Sequence, residues 1–128
     1  MILRTYKFRI YPTKEQEETL VQMFGCSRFV WNYFLNNSKE HYSKTKKHLS
    51  FFDNCKLLTL LKQKEETSFL NNANAQSLQA SIKNLDKAYK AFFKTKKGFP
   101  KFKNKNKKQS ISIPQNLSIK SNQLFVPK

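Results

Sequence analysis

The clearest pattern in this chain is a helical one in its second half. Apolar side chains there recur four and three positions apart, which places them on one face of an α-helix. They are Leu78, Ile82, Leu85, Tyr89 and Phe92. Gly98 follows, and glycine readily takes the left-handed conformation that closes many helices. The pattern therefore predicts one long amphipathic helix that ends at Gly98.

Start signals mark two more helices. Thr13 with Gln16, and Ser50 with Asp53, have the spacing of a capping box, in which each side chain bonds the other residue's backbone N–H. We expect one helix to begin just after Thr13 and another just after Ser50. Residues 43–50, SKTKKHLS, are polar and basic, so they are predicted to form the loop that precedes the second of these helices.

Gly25 interrupts the first of these helical patterns. Because glycine suits a helix end, we expect the helix to stop there and a second to run from about residue 28 to 42. Two helices joined by a tight turn are either a helix-turn-helix that enters DNA or a simple αα-hairpin. The spacing does not decide between these two arrangements.

Alternation at both chain ends predicts β-structure. Tyr6, Phe8 and Ile10 fall on one face of residues 1–12 and basic side chains on the other, as in a half-buried strand. Short alternations within residues 99–128 predict small strands, including a hairpin that could pair with the first strand. The chain then divides into a first strand at 1–12, a helical region at 13–98, and a flexible basic strap with further strands at 99–128.

Charge decides the class of partner. The 128 residues carry 25 Lys and Arg against 8 Asp and Glu, a formal net charge of +17. Basic residues interleaved with aromatics are typical of nucleic-acid binding, where neutralised phosphates release counterions. Anionic membrane is the competing partner, but no stretch reaches the roughly 20 apolar residues of a spanning helix, and the start lacks a signal-peptide core. We expect a cytoplasmic protein that binds no membrane.

Particular basic side chains are candidates for phosphate contacts, although Lys7 and Arg9 could equally be solvated strand residues. The candidates are Lys7, Arg9, Lys94, Lys97, Lys101 and Lys103. Phe102 lies between two of these lysines and could stack on a nucleotide base. Phe99 is expected to pack instead, because a hydrophobic contact commonly closes a helix end.

Catalytic and metal-binding patterns are not found in the sequence. Cys26 and Cys55 form no CxxC pair and are expected to be small buried residues. His41 and His48 are isolated polar residues. The carboxylates stand mostly at helix starts, where they suit the helix dipole. We therefore predict no catalytic residue, no metal ligand and no cofactor in this chain.

Several motifs together resemble a known family. The chain contains YKFRIYPTKEQEETL, GCSRFVWNYFL, LLKQKEETSFL, NAQSLQASIKNLDKAYKAFF and GFPKFK in this order. They resemble the amino-terminal region of TnpB, the OrfB-type protein of bacterial insertion sequences, over essentially the whole chain. The resemblance implies an RNA-guided DNA endonuclease, known in older descriptions as a transposase with an amino-terminal helix-turn-helix.

The resemblance also implies a fold. We expect a mainly α chain with a small β part, an α+β arrangement in which a helical recognition lobe of about four helices is inserted into an incomplete wedge-type β-barrel. By alignment with the family, the residues close to target-adjacent bases are Phe51, Gln76 and Gln79. Gln79 can pair with an adenine edge, although Gln76 and Gln79 could also be plain exposed polar residues.

The expected function is that of an amino-terminal region without the nuclease and zinc modules. It would bind guide RNA and double-stranded DNA, in contact with other transposon-encoded proteins, and would cleave nothing alone. Divalent metal and zinc would belong to the remaining half of the family protein. One alternative is a stand-alone helix-turn-helix regulator that binds duplex DNA, and another is a basic protein with an acidic protein or lipid partner.

Overall fold

The computed structural model describes residues 3–95, 98–106, 108, 110–114, 117–120 and 123–126. These residues form, in chain order, α1 (Lys14–Thr45), α2 (Phe51–Gln63), a 3₁₀ helix (Glu65–Asn72), α3 (Ala75–Thr95), β1 (Ser118–Lys120) and β2 (Gln123–Phe125). The prediction of a mainly α chain with a small β part is confirmed. The barrel is not confirmed, because the only sheet within these residues is the two-stranded hairpin of β1 and β2.

The first helix is continuous, so the predicted break at Gly25 is wrong. α1 runs for 32 residues, and Gly25 has no positive φ. Its buried side chains continue on one face through the glycine, from Met23 and Cys26 to Val30 and Phe34. A glycine inside a helix costs about 1 kcal/mol relative to alanine. Burial of this continuous apolar face offsets that cost, and the predicted tight turn does not form.

Both capping boxes are confirmed. Gln16 N donates to Thr13 Oγ1 at 3.3 Å, and Thr13 N donates to Gln16 Oε1 at 2.9 Å. Ser50 and Asp53 make the same pair of bonds at 3.2 and 3.3 Å. These bonds satisfy N–H groups that a helix start would otherwise leave without partners. They fix where α1 and α2 begin.

The core lies where α1 crosses α3, with α2 and the 3₁₀ helix packed beside them. The apolar face of α3 is confirmed, since Leu78, Ile82, Leu85 and Tyr89 are all buried. They meet side chains of α1, α2 and the 3₁₀ helix. These partners are Cys26, Val30, Trp31, Phe34, Leu35, Leu58, Leu61 and Leu70.

The two chain ends do not pair with each other in the described residues. β1 and β2 form an antiparallel hairpin with Ile119 opposite Leu124, as predicted. Residues 3–13 contain no strand, and residues 3–11 are all exposed. The predicted pairing of a first strand with the hairpin is therefore not observed, and the described residues form no barrel.

The end of α3 also differs from the prediction. The helix ends at Thr95, and Gly98 does not take a positive φ. The expected packing of Phe99 is confirmed: its ring lies 5.4 Å from that of Tyr89 and 5.1 Å from that of Phe92. Contact of Phe99 with the helix, rather than a left-handed glycine, directs the chain back towards α1.

The prediction that His48 is isolated is wrong. Its ring lies 5.1 Å from the ring of Tyr89 and 5.8 Å from that of Phe93. His48 Nε2 is also 3.7 Å from a carboxylate oxygen of Asp86, whose other oxygen is 3.0 Å from Lys90 Nζ. The loop between α1 and α2 is thereby held against α3.

Candidate nucleic-acid interface

The segment after α3 is held along α1 by side chains of that helix. We call residues 98–106 the basic strap. Trp31 Nε1 donates to the carbonyl oxygen of Lys101 at 2.9 Å. Asn32 bonds the backbone of Lys103 twice: its Nδ2 donates to the carbonyl at 2.9 Å and its Oδ1 accepts from the N–H at 2.7 Å. This part of the strap is therefore fixed to the helix, contrary to the expected flexible segment.

Cations lie over aromatic rings along the same contact. Lys103 Nζ is 4.3 Å from the centre of the Trp31 ring. Lys39 Nζ is 4.9 Å from the ring of Phe102 and 5.1 Å from that of Phe99. Such contacts contribute about 0.5–1 kcal/mol each at exposed sites. Partial burial of the Lys103 ammonium lowers its pKa, since desolvation disfavours the charged form.

A groove of about 270 Å³ lies between the strap and the helices, and we call it the basic groove. Ser81 of α3 donates its hydroxyl to the carbonyl oxygen of Ser27 at 3.2 Å, which joins the two helices beside it. The lining combines four cations with hydroxyl groups. It comprises Phe24, Ser27, Arg28, Ser81, Lys101, Phe102, Lys103, Asn104, Lys108 and Ser110. Positive charges and hydroxyl donors together suit an anion such as a phosphate.

A larger groove of about 720 Å³ separates α1 from the 3₁₀ helix, and we call it the aromatic groove. The ring of Phe69 meets that of Phe29 edge-on at 5.2 Å, and Phe29 stacks on Tyr33 at 5.9 Å. Cys26 Sγ lies 3.9 Å from the carbonyl oxygen of Phe69, to which it donates, and links the two walls. Polar side chains complete the lining. They are Gln22, Arg28, Asn32 and Asn72.

Comparison with known proteins identifies the chain. Residues 1–47 match the helix-turn-helix domain of OrfB proteins of the IS605 type. The Escherichia coli (strain K12) protein named "Putative RNA-guided DNA endonuclease InsQ" is 30% identical over 128 residues, 98% of this chain. A Streptomyces pristinaespiralis protein named "Putative RNA-guided DNA endonuclease" is 30% identical over 109 residues, 85% of this chain. This chain corresponds to the amino-terminal region of OrfB-type TnpB proteins.

The similarity covers different shares of these TnpB relatives. The chain spans 32% of InsQ and 27% of the Streptomyces protein, which is less than a third of each. "Virulence protein VsdF" of Salmonella dublin is 34% identical over 116 residues, which cover 84% of this chain and 98% of VsdF. The similarity thus extends beyond the helix-turn-helix match to nearly the whole sequence.

Two of the phosphate-contact candidates in this TnpB sequence share one site. Lys101 and Lys103 both line the basic groove. Lys94 is exposed in the last turn of α3, and Lys97 lies outside the described residues. Lys7 and Arg9 are exposed in the irregular amino-terminal segment and line neither described groove.

The base-proximal candidates are spread over two helices. Phe51 is half-buried against the core and meets Phe52 edge-on at 5.5 Å. Gln76 is half-buried and Gln79 exposed at the start of α3, and neither lines a described groove. Phe102 lines the basic groove and is 48% exposed, so ring surface remains open although Lys39 lies over it.

Sequence reasoning missed the most connected residues of this TnpB surface, Trp31 and Asn32. In the helical pattern they lie beside the apolar face, which by itself indicates no contact with another segment. A buried indole N–H needs an acceptor, and an asparagine inside a helix is unfavourable unless its amide bonds elsewhere. These features signal that partners exist, but nothing in the sequence shows that the partner is the strap about seventy positions later.

Metal and membrane chemistry are not represented in the described part of this TnpB chain. There, no three His, Cys, Asp or Glu side chains meet as metal ligands would. Burial raises the pKa of both thiols, of which Cys26 is buried and Cys55 half-buried, so neither is activated as a thiolate. None of the described helices combines the length and the apolar character needed to cross a membrane.

Proposed function

We propose that this chain is the nucleic-acid-binding amino-terminal module of a TnpB-type RNA-guided DNA endonuclease, which binds guide RNA and target-adjacent DNA. One observation carries the proposal above the others. Trp31 and Asn32 hold the basic strap on α1, so that Lys101 and Lys103 project from an ordered backbone beside Arg28. Cations on an ordered backbone lose less conformational entropy when they bind a polyanion.

The charge of the whole chain supports the same conclusion. A net charge of +17 attracts a polyanion at long range and favours rapid association. Lys94 and Lys97 precede the strap in the sequence, and Lys7 and Arg9 add cations near the amino terminus. Lysine far exceeds arginine among these, which favours phosphate contact over paired bonds to guanine.

Base contacts in this proposal come from the start of α3. Gln79 is exposed and its amide can bond an adenine edge at two points. Gln76 and Phe51, the other two base-proximal candidates, are half-buried, which suits positioning better than direct reading. Phe102 supplies an exposed ring for stacking beside the basic groove.

The proposed module has the three parts described above, residues 1–12, 13–98 and 99–128. Its described carboxylates and cysteines do not fit a metal centre, because they do not cluster. We therefore derive no metal-dependent step from this chain. The divalent metal and zinc of the family would be held by residues other than these.

The test is a binding titration of the purified chain with a fluorescent RNA hairpin and with a DNA duplex of equal length. We expect tighter binding to the hairpin, and an affinity that falls steeply as the salt concentration rises, because bound phosphates release counterions. No binding to either nucleic acid at low salt would refute the proposal.

The helix-turn-helix match over residues 1–47 favours one second function, a regulator that binds duplex DNA. In that case the duplex would bind better than the hairpin, and a sequence preference would persist at high salt. Continuity of α1 argues against it, because the first break in the helix comes after Thr45 and leaves no second helix within the matched residues.

A further inference from the structure

The aromatic groove has the volume of a ligand site. Its volume of about 720 Å³ lies within the range of roughly 300–1,000 Å³ that is usual for small-molecule sites. The walls belong to different elements, α1 and the 3₁₀ helix, and the Cys26–Phe69 contact holds them together. Such a groove is preformed and can accept a ligand without rearrangement of the core.

The lining indicates a flat, partly polar ligand. Phe69 is 41% exposed, and Phe29 and Tyr33 are half-buried, so all three rings leave surface open to the groove. Aromatic rings of this kind stack on nucleobases whatever their sequence. A purely apolar ligand would leave the polar side chains of the groove without partners.

Two amides are placed to bond the edge of such a ligand. Within the described part of the chain, Gln22 and Asn72 line the groove and make no side-chain hydrogen bond. The amide of Asn32 is different, because both of its ends bond the backbone of Lys103. An amide both donates and accepts, as does the edge of each base.

Gly25 keeps the floor of the groove open. It is helical, has no positive φ, and a Cβ placed on it would meet only the Arg28 guanidinium, at an ordinary 3.8 Å. Neither backbone conformation nor packing therefore requires glycine here. Alanine would make the helix more stable, because glycine destabilises a helix interior. What the missing side chain provides is space in the groove.

Arg28 joins this groove to the basic groove, since it lines both. A base between the aromatic rings would therefore have its sugar-phosphate directed towards Arg28 and the strap lysines. We propose that the aromatic groove binds one unpaired nucleobase of a nucleic acid whose phosphates lie along the basic groove. The inference rests on the proposed function and adds a specific site for a single-stranded nucleotide.

The experiment uses an RNA hairpin with 2-aminopurine at one loop position, its DNA counterpart, and a fully paired duplex with the same label. Stacking in the groove should change the fluorescence of the looped label on binding and leave the paired label unchanged. A signal from the RNA loop alone, or from both loops, supports the site and shows whether the ribose contributes.

Three variants locate the signal. Phe69→Ala should weaken binding of the looped RNA about five- to tenfold, as expected for loss of one base stack. Gly25→Ala should raise the urea midpoint of unfolding and yet reduce the fluorescence change, a combination that a purely structural role would not give. The control is Tyr42→Ala, an exposed aromatic outside both grooves, which should change neither the affinity for the looped RNA nor the fluorescence signal.

Two failures can be told apart. If the hairpin and the duplex bind with a steep salt dependence but the looped label does not respond to binding or to Phe69→Ala, the base site is refuted and the proposed function stands. If neither nucleic acid binds, the proposed function fails and the base site with it.

Discussion

Tyr89 shows how one residue connects the parts of this molecule. Its ring is buried in the core and contacts both His48 of the α1–α2 loop and Phe99 of the strap. Its hydroxyl donates to the carbonyl oxygen of Leu35 at 3.3 Å. Burial raises the pKa of this phenol to about 12 from its ordinary value of 10.0.

Because the pKa of Tyr89 is raised, the free energy of unfolding depends on pH in the alkaline range. Because the folded pKa lies above the unfolded value, the contribution is complete below about pH 10 and is lost as the pH rises towards 12. Tyr89→Phe should cost about 1 kcal/mol at pH 8, through the lost hydrogen bond. The difference should shrink and then reverse by pH 11.5.

Urea unfolding followed by circular dichroism at several pH values measures that difference. Comparison with Tyr89→Phe cancels the titration of the many lysines, which both proteins share. Parallel pH profiles for the two proteins would contradict the prediction, because they would show that folding does not raise the pKa of the phenol.

Residue-level prediction from sequence succeeded where a side chain acts locally. The capping pairs Thr13–Gln16 and Ser50–Asp53 depend on residues three apart, and the buried face of α3 depends on helical period alone. The role of Tyr89 as a hydrogen-bond donor to Leu35 depends on two helices crossing, and no local pattern encodes that.

At the scale of elements, α1 and the strap account for most of the difference between expectation and structure. A glycine looked like a helix end, but the apolar face continues through it, and tertiary burial outweighs local propensity. The strap was expected to be flexible because its sequence is mostly polar and basic. Its anchors, Trp31 and Asn32, lie in a different element.

Asn32→Ala should release the strap from α1. Two hydrogen bonds to the backbone of Lys103 are lost, which at this exposed site should cost about 1 kcal/mol of folding free energy. Hydrogen exchange of the Lys103 amide should become faster. Asn36→Ala is the matched control, since that asparagine lies one turn further on and bonds only Glu40, at 3.4 Å. Unchanged exchange at Lys103 would contradict the proposed anchoring.

At the scale of the whole molecule, composition and charge were informative because they are sums over the chain. They predicted the partner class, and the helical periods predicted a mainly α fold, while the order of motifs indicated the family. The grooves could not be predicted, because Arg28, Ser81 and Lys101 come from three separate elements that only the packed core brings together.

In the proposed function, nucleic acid binds where the strap lies on α1, and not wherever lysines are exposed. The most direct measurement is the slope of log affinity against log salt concentration for an RNA hairpin, for the wild type and two double variants. Lys101→Gln with Lys103→Gln removes two charges from the basic groove. Lys83→Gln with Lys87→Gln removes two exposed charges from α3, outside both grooves.

We predict that the groove variant binds more weakly and that its slope falls by roughly 1 to 2, while the α3 variant keeps the wild-type slope. Equal losses in the two variants would contradict the account, because they would show that binding follows total charge and not the surface formed by the strap and α1.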